Sequence, residues 1–548
     1  MGKIKGYDFI ILFSLMIIGG IICLFLGQDA NWDLANYHYY SVWALFHGRI
    51  GFDIMPCGIQ SYFNPLIDFP FYLLVKFFNN MPHLISFIQS FWWGIAVFFG
   101  YKIASLIYNG KFKIWLRVFS VAIGASGVLS ILEVGMTFGD LNIAALVLAA
   151  MFLILKNIFN EPSRQRTLTV LFAALLLGFA LGLKTNASMA IVGLLISVVI
   201  FRKKIPHTKK MLILLIGGIL LGTLATGGGW YAYIWQKFGN PFFPFYNDFF
   251  KSPLAEFVNH IDTRHLPKSV FDFVFYPILW TVHKGENYVL EFPFTDYRHI
   301  ALFFAVPLIF WFHKFYTQRN KRFKIALKEY VNVDLFNFLT VFLTATYLFW
   351  LKTSATLRYL QFIEIISGIF LAIFLVYILI LTKSEIKARV VALVAMLSII
   401  ATTQYCPMQI TRVPFAEKFM SLENLELPDN AVLCQIGGFP SAWFMPFQNP
   451  KAKFVYLYGE IDGYNFKYPK AEIQRVKDII KKADKSVYLI YSDYEPAYVG
   501  YDYVKQFVNT DDFACRRVYN DYMQVYYFCS LKSVQKPKKE FVLNDKKN

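Results

Sequence analysis

The chain has 548 residues, of which 57% are hydrophobic and 16% are charged, against roughly 25% charged residues in an average soluble domain. This composition excludes a single water-soluble domain, because one core cannot bury so much apolar surface, and it predicts a polytopic α-helical membrane protein. The formal net charge is +18, but the basic residues form short clusters between apolar runs. That pattern is typical of membrane topology signals, so the expected partners are membrane lipids and not nucleic acid.

About eleven apolar runs have the length that a membrane-spanning helix needs. They are predicted at 7–26, 83–108, 115–132, 139–157, 167–183, 187–201, 211–234, 299–316, 334–351, 357–382 and 389–405. The N-terminus carries Lys3 and Lys5, which places it in the cytoplasm, and each further loop predicted to be inside is also basic. We therefore expect a multi-pass protein of the cell membrane, with a bacterial inner membrane as the expected location.

Three regions follow from this topology. Residues 1–405 form the predicted transmembrane domain, which has a first outer loop at 27–82 and a long outer loop at 235–298. Residues 406–531 are predicted to form an extracytoplasmic α/β domain, and residues 532–548 a basic tail. The predicted elements of the α/β domain are strands at 431–436, 453–458, 486–491 and 524–530 and an amphipathic helix at 470–483. Cys515 and Cys529 flank a predicted hairpin, and an oxidising compartment would permit a disulfide between them.

The first outer loop opens with a crowded polar segment, 28–40, where the first span leaves the membrane. Helical spacing places Tyr37 on the same side as Asp33. A carboxylate that is partly desolvated at a membrane boundary has a raised pKa and can take a proton from an acceptor hydroxyl. Asp33 is therefore the preferred candidate for a general base, and Asp29 is the second. The alternative is that either residue only caps the following helix.

Acidic residues also occur in the predicted second outer turn, which contains Glu133 and Asp140. Carboxylates near the ends of spans are costly unless they pair, bind a ligand or face water. Together with the aspartates of the first loop, they could hold a divalent cation such as Mg²⁺ or Mn²⁺ through oxygen ligands. The alternative is a solvated turn in which Asp140 caps the next helix.

Two cations break the charge pattern, because Lys184 and Arg358 lie in short turns that are predicted to be outside. Basic residues are disfavoured there, so a local reason is expected. One reason is a phosphate at the outer leaflet, which the guanidinium of arginine can bind in bidentate fashion. The alternative is that both side chains extend toward lipid headgroups.

These motifs, in their order along the chain, resemble those of the GT-C superfamily of membrane glycosyltransferases, the group that includes protein mannosyltransferases and aminoarabinose transferases. The resemblance covers most of residues 1–405. It consists of Asp33 and Tyr37 followed by the segment 43–49, the acidic turn with Glu133 and Asp140, and the pair Arg358 and Tyr359. The family often has two adjacent acids in the first loop, whereas this chain has Asp33 followed by Leu34.

The resemblance implies an enzyme that moves a sugar from a polyprenyl-phosphate donor to a glycan, a lipid-linked saccharide or a protein, with inversion. The implied site residues are Asp33 and Asp29 for the base, Arg358 and Lys184 for the donor phosphate, Tyr37, His38 and Tyr359 for substrate, and Glu133 and Asp140 for a metal. Two alternatives remain, a transporter or flippase for lipid-linked glycans and a structural subunit of the cell envelope. Half-to-half symmetry and helices broken at mid-membrane would favour a transporter, and neither is clear in the sequence.

Overall fold

The computed structural model describes residues 6–259, 262–285, 288–316, 319–406, 411–437, 439–458, 470–492, 513–520 and 525–531. The helices are α1 (Gly6–Leu26), α2 (Tyr40–Phe46), α3 (Phe69–Phe78), α4 (Pro82–Gln89), α5 (Phe91–Ile107), α6 (Lys113–Ala125), α7 (Val128–Leu132), α8 (Asp140–Asn157), α9 (Arg164–Leu183), α10 (Ser188–Ile200), α11 (Thr208–Thr223), α12 (Gly229–Phe238), α13 (Asn247–Phe250), α14 (Val270–Val282), α15 (Tyr297–Trp311), α16 (Lys321–Tyr330), α17 (Val333–Thr353), α18 (Gln361–Thr382), α19 (Glu385–Thr402) and α20 (Lys470–Ala483). The strands are β1 (Gln28–Asp29), β2 (Arg412–Val413), β3 (Val432–Ile436), β4 (Lys453–Tyr458), β5 (Val487–Ser492), β6 (Phe513–Val518) and β7 (Tyr526–Leu531).

The chain is membrane-embedded, because seven helical segments of the described residues are long and apolar enough to cross a bilayer. They are Gly6–Leu26, Pro82–Ile107, Asp140–Asn157, Arg164–Leu183, Thr208–Phe238, Val333–Thr353 and Leu357–Thr382. The prediction of eleven spans is not confirmed, since the other four runs form helices that are shorter or carry more charge. The run at 115–132, for example, is divided between α6 and α7, because Gly127 is extended.

The chain forms two compact units, and neither is continuous in sequence. The first, which we call the helical unit, contains 1–31, 64–233 and 261–419. The second, the sheet unit, contains 32–63, 234–260 and 420–548. This division differs from the predicted boundary after residue 405, because parts of both predicted outer loops belong to the sheet unit. The second part of the helical unit begins within the predicted first outer loop, with a 3₁₀ turn (Pro65–Asp68) followed by α3.

Close helix packing in the helical unit depends on glycine where α9 meets α11. A Cβ atom on Gly178 would lie 2.2 Å from the carbonyl oxygen of Ile219. A Cβ atom on Gly222 would lie 2.4 Å from the carbonyl oxygen of Leu175. Only glycine allows the two backbones to approach this closely, which is a common device where membrane helices pack without a hydrophobic driving force. The crossing fixes the position of α9. Lys184, which is predicted to bind phosphate, directly follows the last residue of this helix.

In its described residues, the sheet unit contains five strands in the order β4-β3-β5-β7-β6. Strand β3 pairs in parallel with β4 and β5, whereas β7 is antiparallel to β5 and β6. Val476 and Ile480 of α20 pack on the sheet together with Ile54 of the first-loop segment. The four predicted strands and the predicted helix are thus confirmed to within two residues. Cys515 lies directly opposite Cys529 in the β6–β7 ladder, and the two form the disulfide that the sequence permits. The tail at 532–548 lies outside the described residues.

A buried ion pair explains why the segment 32–63 belongs with the sheet. Arg49 donates from Nη2 to Asp53 Oδ1 at 2.7 Å and from Nε to Asp53 Oδ2 at 2.8 Å. It also donates to the carbonyl oxygens of Pro450 (2.5 Å) and Ala452 (2.6 Å). Asp53 accepts in turn from the backbone N–H of Phe454 at 2.8 Å. These bonds fix the first-loop segment to the start of β4.

Candidate functional site

A cluster of charged side chains lies at one end of the helical unit. Helix α8 begins at Asp140, Lys184 follows the end of α9, and Arg358 lies just before α18. Lys184 Nζ is 2.6 Å from Asp140 Oδ1, and Arg358 Nη1 is 3.9 Å from Asp140 Oδ2. The residues predicted separately to bind metal and to bind phosphate therefore meet in one cluster. Neither sequence position nor spacing indicated that Asp140 would be the common partner of both cations.

Each cation of this cluster has further contacts that fix its position. Lys184 Nζ also donates to the carbonyl oxygen of Phe138 at 2.8 Å and lies 5.5 Å from the ring centroid of Tyr359. The Arg358 guanidinium lies over the ring of Phe138, 4.4 Å from its centroid. Cation–π contacts of this kind are strongest where water is excluded. The side chains of Lys184 and Arg358 remain 22% and 11% exposed, so a ligand can reach both charges.

Glu133 is buried beside Asp140. Its Oε2 accepts from the backbone N–H of Leu141 at 3.2 Å. Glu133 Oε1 and Asp140 Oδ2 are both buried and accept no hydrogen bond within the described part of the chain. Burial and the nearby charge of Asp140 raise the pKa of Glu133 well above its ordinary value, although Arg358 and Lys184 oppose this rise. Glu133 therefore tends to hold a proton.

The cluster contains two residues that the sequence did not single out as functional, Glu291 and His265. Glu291 Oε1 is 3.7 Å from Arg358 Nη2 and 3.9 Å from both Arg264 Nη2 and His265 Nε2. Burial alone would raise the pKa of Glu291, but the charge of Arg358 and the neighbouring His265 lower it below its ordinary value. Glu291 is therefore ionised, and Arg358 faces a carboxylate on each side. Glu291 lies in a long irregular stretch between α14 and α15, where no periodic pattern could indicate its neighbours.

The raised pKa of Glu133 predicts how stability depends on pH. A carboxyl group whose pKa is raised in the folded state stabilises that state at pH values below the ordinary 4.5, and this contribution is lost as pH rises through the folded value. Glu133→Gln keeps an uncharged acceptor for Leu141, so it should remove that loss. We expect the variant to melt about 1 °C higher than the wild type at pH 8, which corresponds to roughly 1 kcal/mol in a unit of this size, and at the same temperature as the wild type at pH 4. A melting temperature that falls equally with rising pH in both proteins would show that Glu133 does not titrate there.

The two aspartates of the first loop fall in different units and differ in their bonding. Asp29, in the helical unit, is buried. Its Oδ1 accepts from the backbone N–H and Nδ2 of Asn31, and its Oδ2 accepts from the backbone N–H and Oγ1 of Thr137. Burial raises the pKa of Asp29, and these hydrogen bonds oppose the rise. Asp29 thus connects the first loop to the second turn through hydrogen bonds. These bonds already occupy the lone pairs of its carboxylate oxygens.

Asp33 belongs to the sheet unit and directly precedes a π-helix, Leu34–His38. Its side chain does not cap that helix, which argues against the simplest structural alternative, and it is only partly buried. Tyr37 and His38 are buried, with ring centroids 4.1 Å apart, and Phe63 meets Tyr37 edge-on. A π-helical turn is rare and often occurs at functional sites, because its extra residue per turn redirects side chains.

Glu133 and Asp140, the predicted metal ligands, have neighbours that partly favour and partly oppose the binding of a cation. The two buried carboxylate oxygens without hydrogen bonds, on Glu133 and Asp140, are suitable ligands for a hard cation. However, Lys184 and Arg358 already supply two positive charges next to Asp140, and a metal ion would have to join them. The residues therefore do not fit a divalent cation well, and a metal at Glu133 and Asp140 stays a prediction.

The arrangement can bind an anion between two fixed cations at the end of membrane-spanning helices. No protein-family model matches the chain, and no curated protein matches its sequence. The chemistry of these side chains is therefore the basis for a proposal about function.

Proposed function

We propose that the chain is an integral membrane glycosyltransferase that uses a polyprenyl-phosphate sugar as donor. The observation that carries this proposal is the convergence of Lys184 and Arg358 on Asp140 at the end of spans α8, α9 and α18. Two cations held in place by a common carboxylate are prepared for a phosphate, because their positions need little reorganisation when the ligand binds. Their place at the end of spans suits a phosphate that is attached to a lipid.

In the proposed reaction, a general base, for which the resemblance to the GT-C superfamily implies Asp33, accepts the proton of an acceptor hydroxyl while the hydroxyl oxygen attacks the anomeric carbon of the donor sugar. The bond from the anomeric carbon to the phosphate oxygen breaks, and its electron pair leaves with the polyprenyl phosphate. Attack opposite the leaving group inverts the anomeric configuration. Arg358 and Lys184 stabilise the charge that develops on the leaving phosphate, and no step uses a metal ion.

We keep Asp33 as the proposed base, as the resemblance to the GT-C superfamily implies, whereas the carboxylate oxygens of Asp29 already accept hydrogen bonds from Asn31 and Thr137. A base needs a lone pair that can point at the hydroxyl proton. Asp140 and Glu291 have a different part in the proposal, since they hold the two cations while the site is empty. We assign contact with the substrate to Tyr37, His38 and Tyr359, as the resemblance to the GT-C superfamily implies, and the acceptor remains a glycan, a lipid-linked saccharide or a protein.

Phosphate binding is tested by Arg358→Ala in the purified full chain, with a radiolabelled polyprenyl-phosphate sugar as donor. Loss of charge-assisted hydrogen bonds worth about 1.5–3 kcal/mol should raise the KM for the donor roughly 10- to 150-fold. Lys184→Ala should raise it less, because an ammonium group makes no bidentate contact. Lys204→Ala is the matched control. Lys204 pairs with Asp334 at 2.5 Å, and both side chains are more than half exposed.

The same assay distinguishes the alternatives. If the wild type transfers no sugar from any donor but carries labelled donor across a vesicle membrane, the chain is a transporter and the glycosyltransferase proposal is overturned. If Arg358→Ala and Lys204→Ala have the same KM as the wild type, the cluster does not bind the donor phosphate.

A further inference from the structure

A second buried group of ionisable side chains lies in the helical unit, and it shares no residue with the cluster around Asp140. Asp296 directly precedes α15, His299 lies in its first turn, and Glu364 lies in the first turn of α18. One ligand atom from each residue can be chosen so that all three lie within 4.8 Å of one another. All three residues are buried, and His299 is 8% exposed.

His299 provides an independent indication of a ligand. Its Nε2 is buried and has no hydrogen-bond partner in the described residues, although Glu364 Oε2 is 3.7 Å away. A buried polar atom without a partner costs free energy, so such atoms are rare in folded proteins. The Trp280 ring packs edge-on against the imidazole and limits its rotation. The imidazole of His299 is therefore held close to two carboxylates, those of Glu364 and Asp296.

The carboxylates of this group are held in place by bonds that leave lone pairs available. Glu364 accepts from the backbone N–H groups of Ser130 at 2.7 Å and Leu129 at 3.3 Å. Asp296 Oδ2 accepts from Arg298 Nη1 at 2.6 Å and from the backbone N–H of Val128 at 3.3 Å. Asp296 Oδ1 accepts from the backbone N–H of Arg298 at 2.9 Å, which leaves one acceptor position on this oxygen. An ionised carboxylate has about four acceptor positions, so each can still bind a cation. Two carboxylates and one guanidinium leave a net negative charge, which a divalent ion would offset.

We propose that Asp296, His299 and Glu364 form a binding site for a divalent transition metal of the zinc class. Neutral imidazole nitrogen and carboxylate oxygen are ligands that Zn²⁺ accepts, whereas Mg²⁺ prefers oxygen alone. Ligand atoms about 2.1 Å from a tetrahedral ion are about 3.4 Å apart, so the separation of 3.7 Å between His299 and Glu364 needs little movement. The ion would join α15 to α18 and, through Glu364, to the start of α7.

The test is the metal content of the purified full chain, measured by mass spectrometry after equilibration with ZnCl₂ or with MgCl₂ and removal of unbound ion. We expect about one equivalent of zinc for the wild type, no retained magnesium, and at least a roughly tenfold lower zinc content for His299→Ala. His207→Ala, at an exposed histidine, should retain the zinc. So should Asp140→Asn, which separates this site from the metal predicted at Glu133 and Asp140.

Two further measurements distinguish loss of the metal site from a failure of the variant to fold. His299→Cys should retain zinc, because a thiolate is also a zinc ligand, and its melting temperature should fall when a chelator is added, as in the wild type. His299→Ala should melt at a temperature that the chelator does not change. The proposal is overturned if the folded wild type retains no zinc, or if folded His299→Ala retains as much as the wild type.

Discussion

Replacing Asp33 by Asn is expected to lower the rate of sugar transfer by about 10²–10⁴-fold, the usual contribution of a positioned general base. Asparagine has nearly the same shape but cannot accept the proton of the acceptor hydroxyl at neutral pH. The melting temperature of the variant, measured beside that of the wild type, shows whether it is folded. The measurement is the single-turnover rate of transfer from a saturating polyprenyl-phosphate donor, which separates the chemical step from donor binding.

Two matched variants make this result specific. Asp248→Asn, at an exposed position of the same unit, should transfer sugar at the wild-type rate. Asp29→Asn should lower the melting temperature, because an amide can no longer accept all the hydrogen bonds that Asn31 and Thr137 donate. If Asp33→Asn transfers at the wild-type rate, another group is the base. If Asp29→Asn alone loses the chemical step and keeps its stability, then the two aspartates have the opposite roles.

Asp53→Asn is expected to destabilise the sheet unit by about 3–5 kcal/mol, since it leaves the buried charge of Arg49 without its partner. Both side chains are almost fully buried, at 3% and 0% exposure. Burial raises the pKa of Asp53 in spite of Arg49, which shows that desolvation is a large part of the balance. The double variant Arg49→Met and Asp53→Leu should therefore recover much of the loss. Hydrogen exchange of the amides of β3 and β4 measures both effects.

The chain contains a control for this second prediction, the pair Lys451 and Asp429. Its N–O distance is also 2.7 Å, but its side chains are 70% and 65% exposed. Asp429→Asn should leave hydrogen exchange of the same strands unchanged, because water screens exposed charges. Equal effects of Asp53→Asn and Asp429→Asn would mean that burial does not determine the strength of the Arg49–Asp53 pair.

Local patterns predicted the parts of the fold that depend on neighbouring residues. The predicted short strands correspond to β3, β4, β5 and β7, and the periodicity of 470–483 located α20. The composition of the two units could not be predicted this way, because Arg49 contacts residues about 400 positions later in the chain. The predicted count of eleven spans is not confirmed, and an apolar run such as 115–132 can be divided by a single extended glycine.

The candidate site was predictable residue by residue, but not as a group. Glu133, Asp140, Lys184 and Arg358 each stood out as a charge at the end of an apolar run. Their convergence depends on how α8, α9 and α18 pack, which no spacing in the sequence contains. Glu364 did leave a signal, since it is an acidic residue inside the predicted span at 357–382, and such residues have a functional or pairing reason.

The most direct test of phosphate binding by the two cations is a cryo-electron microscopy map of the full chain in lipid nanodiscs with a polyprenyl phosphate added. We expect density for the phosphate within hydrogen-bonding distance of both Arg358 and Lys184. Phosphate density elsewhere, with Arg358 and Lys184 still contacting only the protein, would contradict the proposed donor site.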